Sequence, residues 1–385
     1  MPCELSHLSE AQVGELMQQY YNGTPAKTLV EEYSLSASAS SLHLKFPPIT
    51  IAGEYCKYCE ILLVADRPSK SKKDLPPKKD EYYCPNCGHK PYIEACKCDI
   101  CKQVEINLNE ERTRKIQEYY RRTQVPVFFS QLTFEEKVYL GAICRALLRE
   151  NLLEITPLDE KACILTPTWS LCREIYGLLL DRHILAVSPS SPLEAFDLDA
   201  SNFPIMIYPF KVTYNLNLFF PSDRQKLFNE ILAPSYFSPV NHEEAYLIWL
   251  KIAAAECVEC LNYHLHEENF YSYVGEKTHV TFSVLLRDFS VAQIYGLIER
   301  AVSDASKLYT ENERYSKDAV NFVIWSCEQY AEQAIIKHRD LPNYDLRRVR
   351  PQSILSSFFF NRVLKIGEAG FEIPPSPEYL RKSLY

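Results

Sequence analysis

Seven of the chain's 14 cysteines fall between residues 56 and 101 of 385, and this crowding constrains the fold more than any other feature. The other seven are scattered, which suits reduced thiols and a metal better than a disulfide framework. Two CxxC turns stand out, Cys56-Lys57-Tyr58-Cys59 and Cys84-Pro85-Asn86-Cys87-Gly88. Such a turn delivers two thiolates to one tetrahedral ion, and Gly88 can take the positive φ that closes it. Cys56, Cys59, Cys84 and Cys87 are therefore expected to hold zinc. Cys96, Cys98 and Cys101 follow, with His89 just after the second turn. In one reading His89 and these three cysteines form a second site. In the other, Cys98 and Cys101 complete a single site and the remaining thiols are spare or simply buried. One zinc ion or two is expected. A catalytic zinc keeps one position for water beside a general base, usually with His and carboxylate ligands. The sequence offers no such set, and no His-x-Glu precedes Cys84. The zinc is expected to be structural.

The paired turns resemble a zinc ribbon. Their separation of 24 residues exceeds the roughly 15–20 usual for such pairs. The excess is accounted for by residues 67–79, a polar basic loop with no apolar period that reads as a mobile insertion. Lys70, Lys72, Lys73, Lys78 and Lys79 make it a candidate phosphate-binding element.

Residues 1–48 read as three helices. Ser9 and Gln12 form a capping-box start, and Val13, Leu16, Met17 and Tyr20 follow at helical spacing. Leu29, Val30 and Tyr33 mark a second helix, and Leu35, Ala39, Leu42 and Phe46 a third over 36–46. The run from Tyr20 to Ser36 resembles helix-turn-helix units of the resolvase and transposase type. That resemblance implies that the third helix enters the major groove of duplex DNA, with Ser38, Ser40, Ser41, His43 and Lys45 facing it. Without an arginine on that face, base reading is expected to be modest.

The net charge of −8 argues against a surface that coats nucleic acid throughout. Residues 1–125 carry 17 basic and 17 acidic side chains, so any nucleic-acid contact is expected there. No apolar stretch approaches the roughly 18 residues that span a bilayer, and a cytoplasmic protein without membrane contact is expected.

The predicted fold class is mainly α with small β elements. The predicted parts are a helix-turn-helix module (1–48), a zinc ribbon with its basic loop (49–106), a linker helix (107–125), a winged-helix-like α+β domain (126–235) and a helical domain (236–385). The winged reading rests on amphipathic helices from Phe134 and Ser170 and strands at residues 162–165 and 183–187. Long helices are expected from His242, Val291 and Ser316. Cys257, Cys260 and His264 share a helix face and read as core thiols and a bonded histidine rather than a metal site. The cluster Arg347-Arg348-Val349-Arg350 reads as a solvated turn.

Phosphate loops, dinucleotide turns, nucleophile elbows and HExxH pairs are all missing, which leaves enzymatic activity unsupported. The layout also resembles bacterial proteins that join a helix-turn-helix, a zinc ribbon and a helical region without an assigned activity. Such architectures imply gene regulation or anti-phage (antiviral) defence. The expected function is a non-enzymatic, zinc-containing DNA-binding regulator of transcription, with residues 126–385 serving partner binding, self-association or sensing. The alternatives are a protein-interaction component of a defence complex, and an enzyme built around Glu256, Glu259, His264, His266, Asp288 and Arg300.

Overall fold

The computed structural model describes residues 5–121, 125–158, 164–220, 224–270, 274–308, 316–344 and 351–382. The chain divides into two compact units, residues 1–114 and 115–385. Helices dominate, with two small sheets.

In the first unit, Ser9 caps α1 (Glu10–Tyr21), its hydroxyl accepting from the Gln12 N–H at 3.3 Å. Helix α2 (Ala26–Glu32) follows. Val13, Leu16, Tyr20, Leu29, Leu35, Leu42 and Phe46 close a small core around the two helices. The third segment departs from the α-helix expected over 36–46, because Ala39–Lys45 is a seven-residue 3-10 turn. The serines explain the difference. The Ser38 hydroxyl lies 2.6 Å from that of Ser41 and 3.2 Å from that of Ser40. Serines that bond locally compete with helical hydrogen bonding.

Strands β1 (Ile49–Tyr55) and β2 (Leu62–Ala65) form an antiparallel hairpin, paired Ile49 to Ala65 and Tyr55 to Leu62 with a register shift between. Val64 also pairs with Tyr83, which brings the second CxxC turn to the hairpin. The basic loop expected to be mobile is anchored at its start. The Arg67 Nε donates to the Pro47 carbonyl at 2.8 Å, and the Tyr21 hydroxyl to that of Pro68 at 2.8 Å. The Lys70 ammonium donates to the Thr24 carbonyl and lies 4.6 Å from the Tyr20 ring centroid. Cations on carbonyls and rings leave no apolar period, so the sequence pattern did not show these contacts.

Helix α3 (Asp99–Tyr120) begins inside the cysteine-rich segment rather than at 107 and carries the chain into the second unit. There α4 (Phe134–Leu147) starts at a Thr133/Glu136 capping box. The Glu136 carboxylate, only 3% exposed, accepts from the Thr133 N–H at 2.8 Å and from Arg182 Nε at 2.7 Å. One carboxylate thus caps α4 and holds the end of α5 (Trp169–Asp181). Strands β3 (Glu154–Ile155), β4 (Leu185–Val187) and β5 (Tyr214–Leu216) form an antiparallel sheet in the order β3-β5-β4. The strand expected at 162–165 does not form in its described half. Ile164 and Leu165 instead accept backbone bonds from Ile354 and Leu355, while Ala162 and Cys163 lie outside the described residues, as does the 347–350 basic cluster.

The remaining helices are α6 (Arg224–Leu232), α7 (His242–Glu267), α8 (Glu276–Leu285), α9 (Val291–Leu308), α10 (Ser316–Ile336), α11 (Ile354–Phe358), α12 (Ala369–Glu372) and α13 (Pro377–Lys382). The boundary expected at 235 is not a division of the fold. One hydrophobic core runs from Ile116 to Leu380, with α4 packed against α6, α7 and α11. Gly141 shows how close that packing is: a Cβ there would sit 2.4 Å from the Phe358 ring and 3.0 Å from the Ile231 carbonyl oxygen.

Gly141→Ala should therefore destabilise the second unit by about 1–3 kcal/mol, the usual cost of overpacking, read as a lowered urea midpoint at unchanged m-value. A fragment of residues 115–385 should unfold cooperatively, whereas residues 236–385 alone should not.

Candidate metal centre

The two CxxC turns share one backbone design. In the first, the Glu60 N–H donates to the Cys56 carbonyl at 2.9 Å, Glu60 holds φ +57°, and the Cys56 N–H donates to the Ile61 carbonyl at 2.9 Å. In the second, the Gly88 N–H donates to the Cys84 carbonyl at 2.8 Å, Gly88 holds φ +69°, and the Cys84 N–H donates to the His89 carbonyl at 2.8 Å. The left-handed residue after each second cysteine turns the chain back, so both sulfurs of a pair face the same point.

The ligand atoms of Cys56, Cys59, Cys84 and Cys87 lie within 4.8 Å of one another. Cys56 Sγ and Cys87 Sγ are 3.7 Å apart, too far for a disulfide. This separation matches the edge of about 3.8 Å of a tetrahedron with metal–sulfur bonds of about 2.3 Å. Asn86 Nδ2 donates to Cys59 Sγ at 3.4 Å, an outer contact of the kind that orients a metal ligand. Burial pushes the Cys87 thiol well above its ordinary range, and the neighbouring Cys59, Cys84 and Cys56 add to it. A bound cation reverses that balance, because thiols that coordinate zinc are deprotonated outright.

His89, Cys96, Cys98 and Cys101 form the second group, again within 4.8 Å. Of the two readings the spacing left open, the geometry is that of a separate four-donor site. The His89 ring is buried, with Nδ1 3.2 Å from Cys101 Sγ and Nε2 without a hydrogen-bond partner. Nδ1 is thus the nitrogen that faces the thiols. The Lys90 N–H donates to Cys96 Sγ at 3.2 Å and the Cys101 N–H to Cys98 Sγ at 3.4 Å. Cys98 sits just before α3 and takes the N–H that a capping serine would take, but burial and the Cys101 and Cys96 side chains leave its thiol above the ordinary range. Burial alone would raise the Cys96 thiol, but the Lys90 and Cys98 N–H groups and the His89 and Cys98 side chains bring it down to about 6.

Tyr58, inside the first turn, joins the groups. Its ring meets the His89 ring edge to face at 4.8 Å, and its hydroxyl lies 3.7 Å from Cys101 Sγ. Spacing alone does not single out Tyr58 or Asn86, although both fall within the CxxC pairs. Both groups can hold a metal ion, and their donors suit zinc: four thiolates in one, three thiolates and an imidazole in the other.

The expected DNA-facing residues are placed differently. Ser38, Ser40 and Ser41 bond among themselves on the 3-10 turn, His43 stacks 6.5 Å from the Tyr20 ring, and Lys45 is half-buried at the end of the turn. Burial lowers the His43 pKa. This segment presents no α-helical reading face. Lys70 is held against Tyr20 and Thr24, whereas Lys72, Lys73, Lys78 and Lys79 are exposed and make no ion pair among the described residues. In the second unit, Cys257 and Cys260 are fully buried, and no further group of three metal donors occurs among the described residues. Glu256 is taken up by the Tyr295 and Ser356 hydroxyls, and Arg300 stacks 4.1 Å over the Tyr330 ring.

Metal analysis of the purified protein should give two zinc ions per chain. Cys98→Ser with Cys101→Ser should remove one ion and leave the β1–β2 hairpin protected from protease. Cys84→Ser with Cys87→Ser should remove both and open residues 49–104 to cleavage, since structural zinc contributes folding energy directly. The chain matches no protein-family model, no curated protein and no solved structure, so this donor geometry is the ground for any functional reading.

Proposed function

We propose that the protein is a non-enzymatic, zinc-dependent DNA-binding protein that grips the phosphate backbone of a duplex through the loop of its first unit. The observation that carries this reading is the state of that loop. Its first residues are tied to α1 and to the backbone around Thr24 and Pro47, while Lys72, Lys73 and Lys78 stand exposed without an ion pair among the described residues and Lys79 lies 5.1 Å from the Tyr92 ring centroid. An anchored loop with free ammonium groups suits phosphate contact without base reading. The base-reading role expected of Ser38, Ser40, Ser41 and His43 is not retained, because a 3-10 turn of seven residues, about 14 Å long at about 2 Å per residue, replaces the recognition helix. Helix α5 also lies in a helix–strand–helix–strand–strand order like that of winged helices. We assign it no reading role, since its exposed Glu174 and Asp181 would face phosphates beside a single Arg173.

Regulation of transcription, or a part in anti-phage defence, is the proposed setting. A protein partner is the second reading for residues 115–385, favoured by Val280, Trp325 and Ile336, which are 63%, 52% and 75% exposed on α8 and α10.

Replacing Lys72, Lys73, Lys78 and Lys79 with glutamine should weaken binding to all duplexes alike. It should also flatten the slope of log affinity against log salt by up to about 3–4, close to 0.9 for each lost phosphate contact. Binding that is unchanged in the variant, or absent at low salt in the parent, would transfer the function to the protein-partner reading.

A further inference from the structure

Within residues 115–385 the sheet opens into a cleft of about 910 Å³, the size of a small-molecule site. Ala186 and Asn215 oppose each other across β4 and β5 on its floor, while Tyr214 and Leu216, one place along β5 on either side of Asn215, are buried in the core. Tyr119 and Tyr120, at the end of α3, form one wall, with their rings edge to face at 4.8 Å.

Several polar groups here already have structural partners. The Tyr120 hydroxyl donates to the Pro204 carbonyl at 2.9 Å, and burial pushes its pKa up to about 12, so it remains a neutral wall. Asn217 Nδ2 donates to the His183 carbonyl at 2.8 Å and to that of Val125 at 3.3 Å, which fixes the rim. The side chains of Arg121, His183 and Asn215 have no partner among the described residues. Among the described residues no Asp or Glu lines the cleft, although the chain has a net charge of −8. The neighbouring carboxylate on the sheet, Glu154, pairs in register with Asn215 and is held by Arg149 Nη1 at 3.0 Å and Asn151 Nδ2 at 3.2 Å. A guanidinium without a counter-charge therefore stands beside apolar and aromatic walls and a free amide.

His183 stands at the rim. It holds φ +55° at the end of α5, where its N–H donates to the Leu180 carbonyl at 2.9 Å and that of Ile184 to the Leu179 carbonyl at 2.8 Å. That is the helix-ending pattern in which glycine is the usual left-handed residue. The imidazole is held at the rim in a left-handed backbone state, which six other described non-glycine residues share.

We propose that this cleft binds a small aromatic anion. The acidic group pairs with Arg121, the ring lies against Tyr119 and the apolar wall of Val125 and Pro126, and polar edges meet Asn215 and His183. The site is independent of the DNA-binding reading, whose lysines lie in residues 1–114.

The test is calorimetric titration of the full-length protein with two probes, salicylate for an aromatic carboxylate and adenosine monophosphate for an aromatic phosphate. At least one should bind one per chain with Kd below about 1 mM, and the better probe identifies the acidic group. Arg121→Gln should weaken that binding at least about tenfold by removing a charge-assisted bond. His183→Gly should also weaken it while leaving Tm equal or higher, because glycine suits the left-handed position. A merely structural His183 would raise Tm with affinity unchanged. Failure of both probes to saturate, or unchanged affinity in both variants, overturns the proposal.

Discussion

The convergence of thiols is the constraint on which the first unit depends. Between residues 49 and 104 the buried apolar side chains are Cys56, Leu63, Val64, Ala65 and Cys84, and two of these five are thiols of the first four-cysteine group. That is far too little apolar burial to offset the ordering of some fifty residues at about 1–2 kcal/mol each for the backbone. Short segments in this position are held by cross-links or ions instead. The hairpin, the second turn and the start of α3 take their places because eight donor atoms gather in two groups.

The parts of this arrangement that could be read from sequence are the local ones. A CxxC turn encodes its own geometry, so Cys56, Cys59, Cys84 and Cys87 announce themselves by spacing. Helices such as α4, α7 and α9 follow from apolar period within one segment. What escaped depends on partners remote in the chain. Tyr58 reaches Cys101 and His89 only after the turn has folded over the second group. Lys70 and Arg67 read as free charges until carbonyls and a tyrosine ring are placed beside them. The segment 36–46 had the right buried residues and the wrong helix, because period reports which side is covered and serine chemistry decides how the backbone winds.

The second unit misled in the opposite direction. A change from mixed helices and strands to long helices suggested two domains, yet Phe358 fills the space that Gly141 leaves open, and Trp249 Nε1 donates to the Gly370 carbonyl at 2.9 Å. Composition along a chain says nothing about which surfaces meet. Glu136 makes the same point in polar form: the residue that caps its own helix also secures Arg182, at the end of another.

Only Gly88 separates Cys87, a donor of the first group, from His89, a donor of the second. The bond from the Cys84 N–H to the His89 carbonyl, with Gly88 at φ +69°, closes the turn between them. The two groups are thus joined through one left-handed glycine, and a side chain at that position would strain the backbone of both at once.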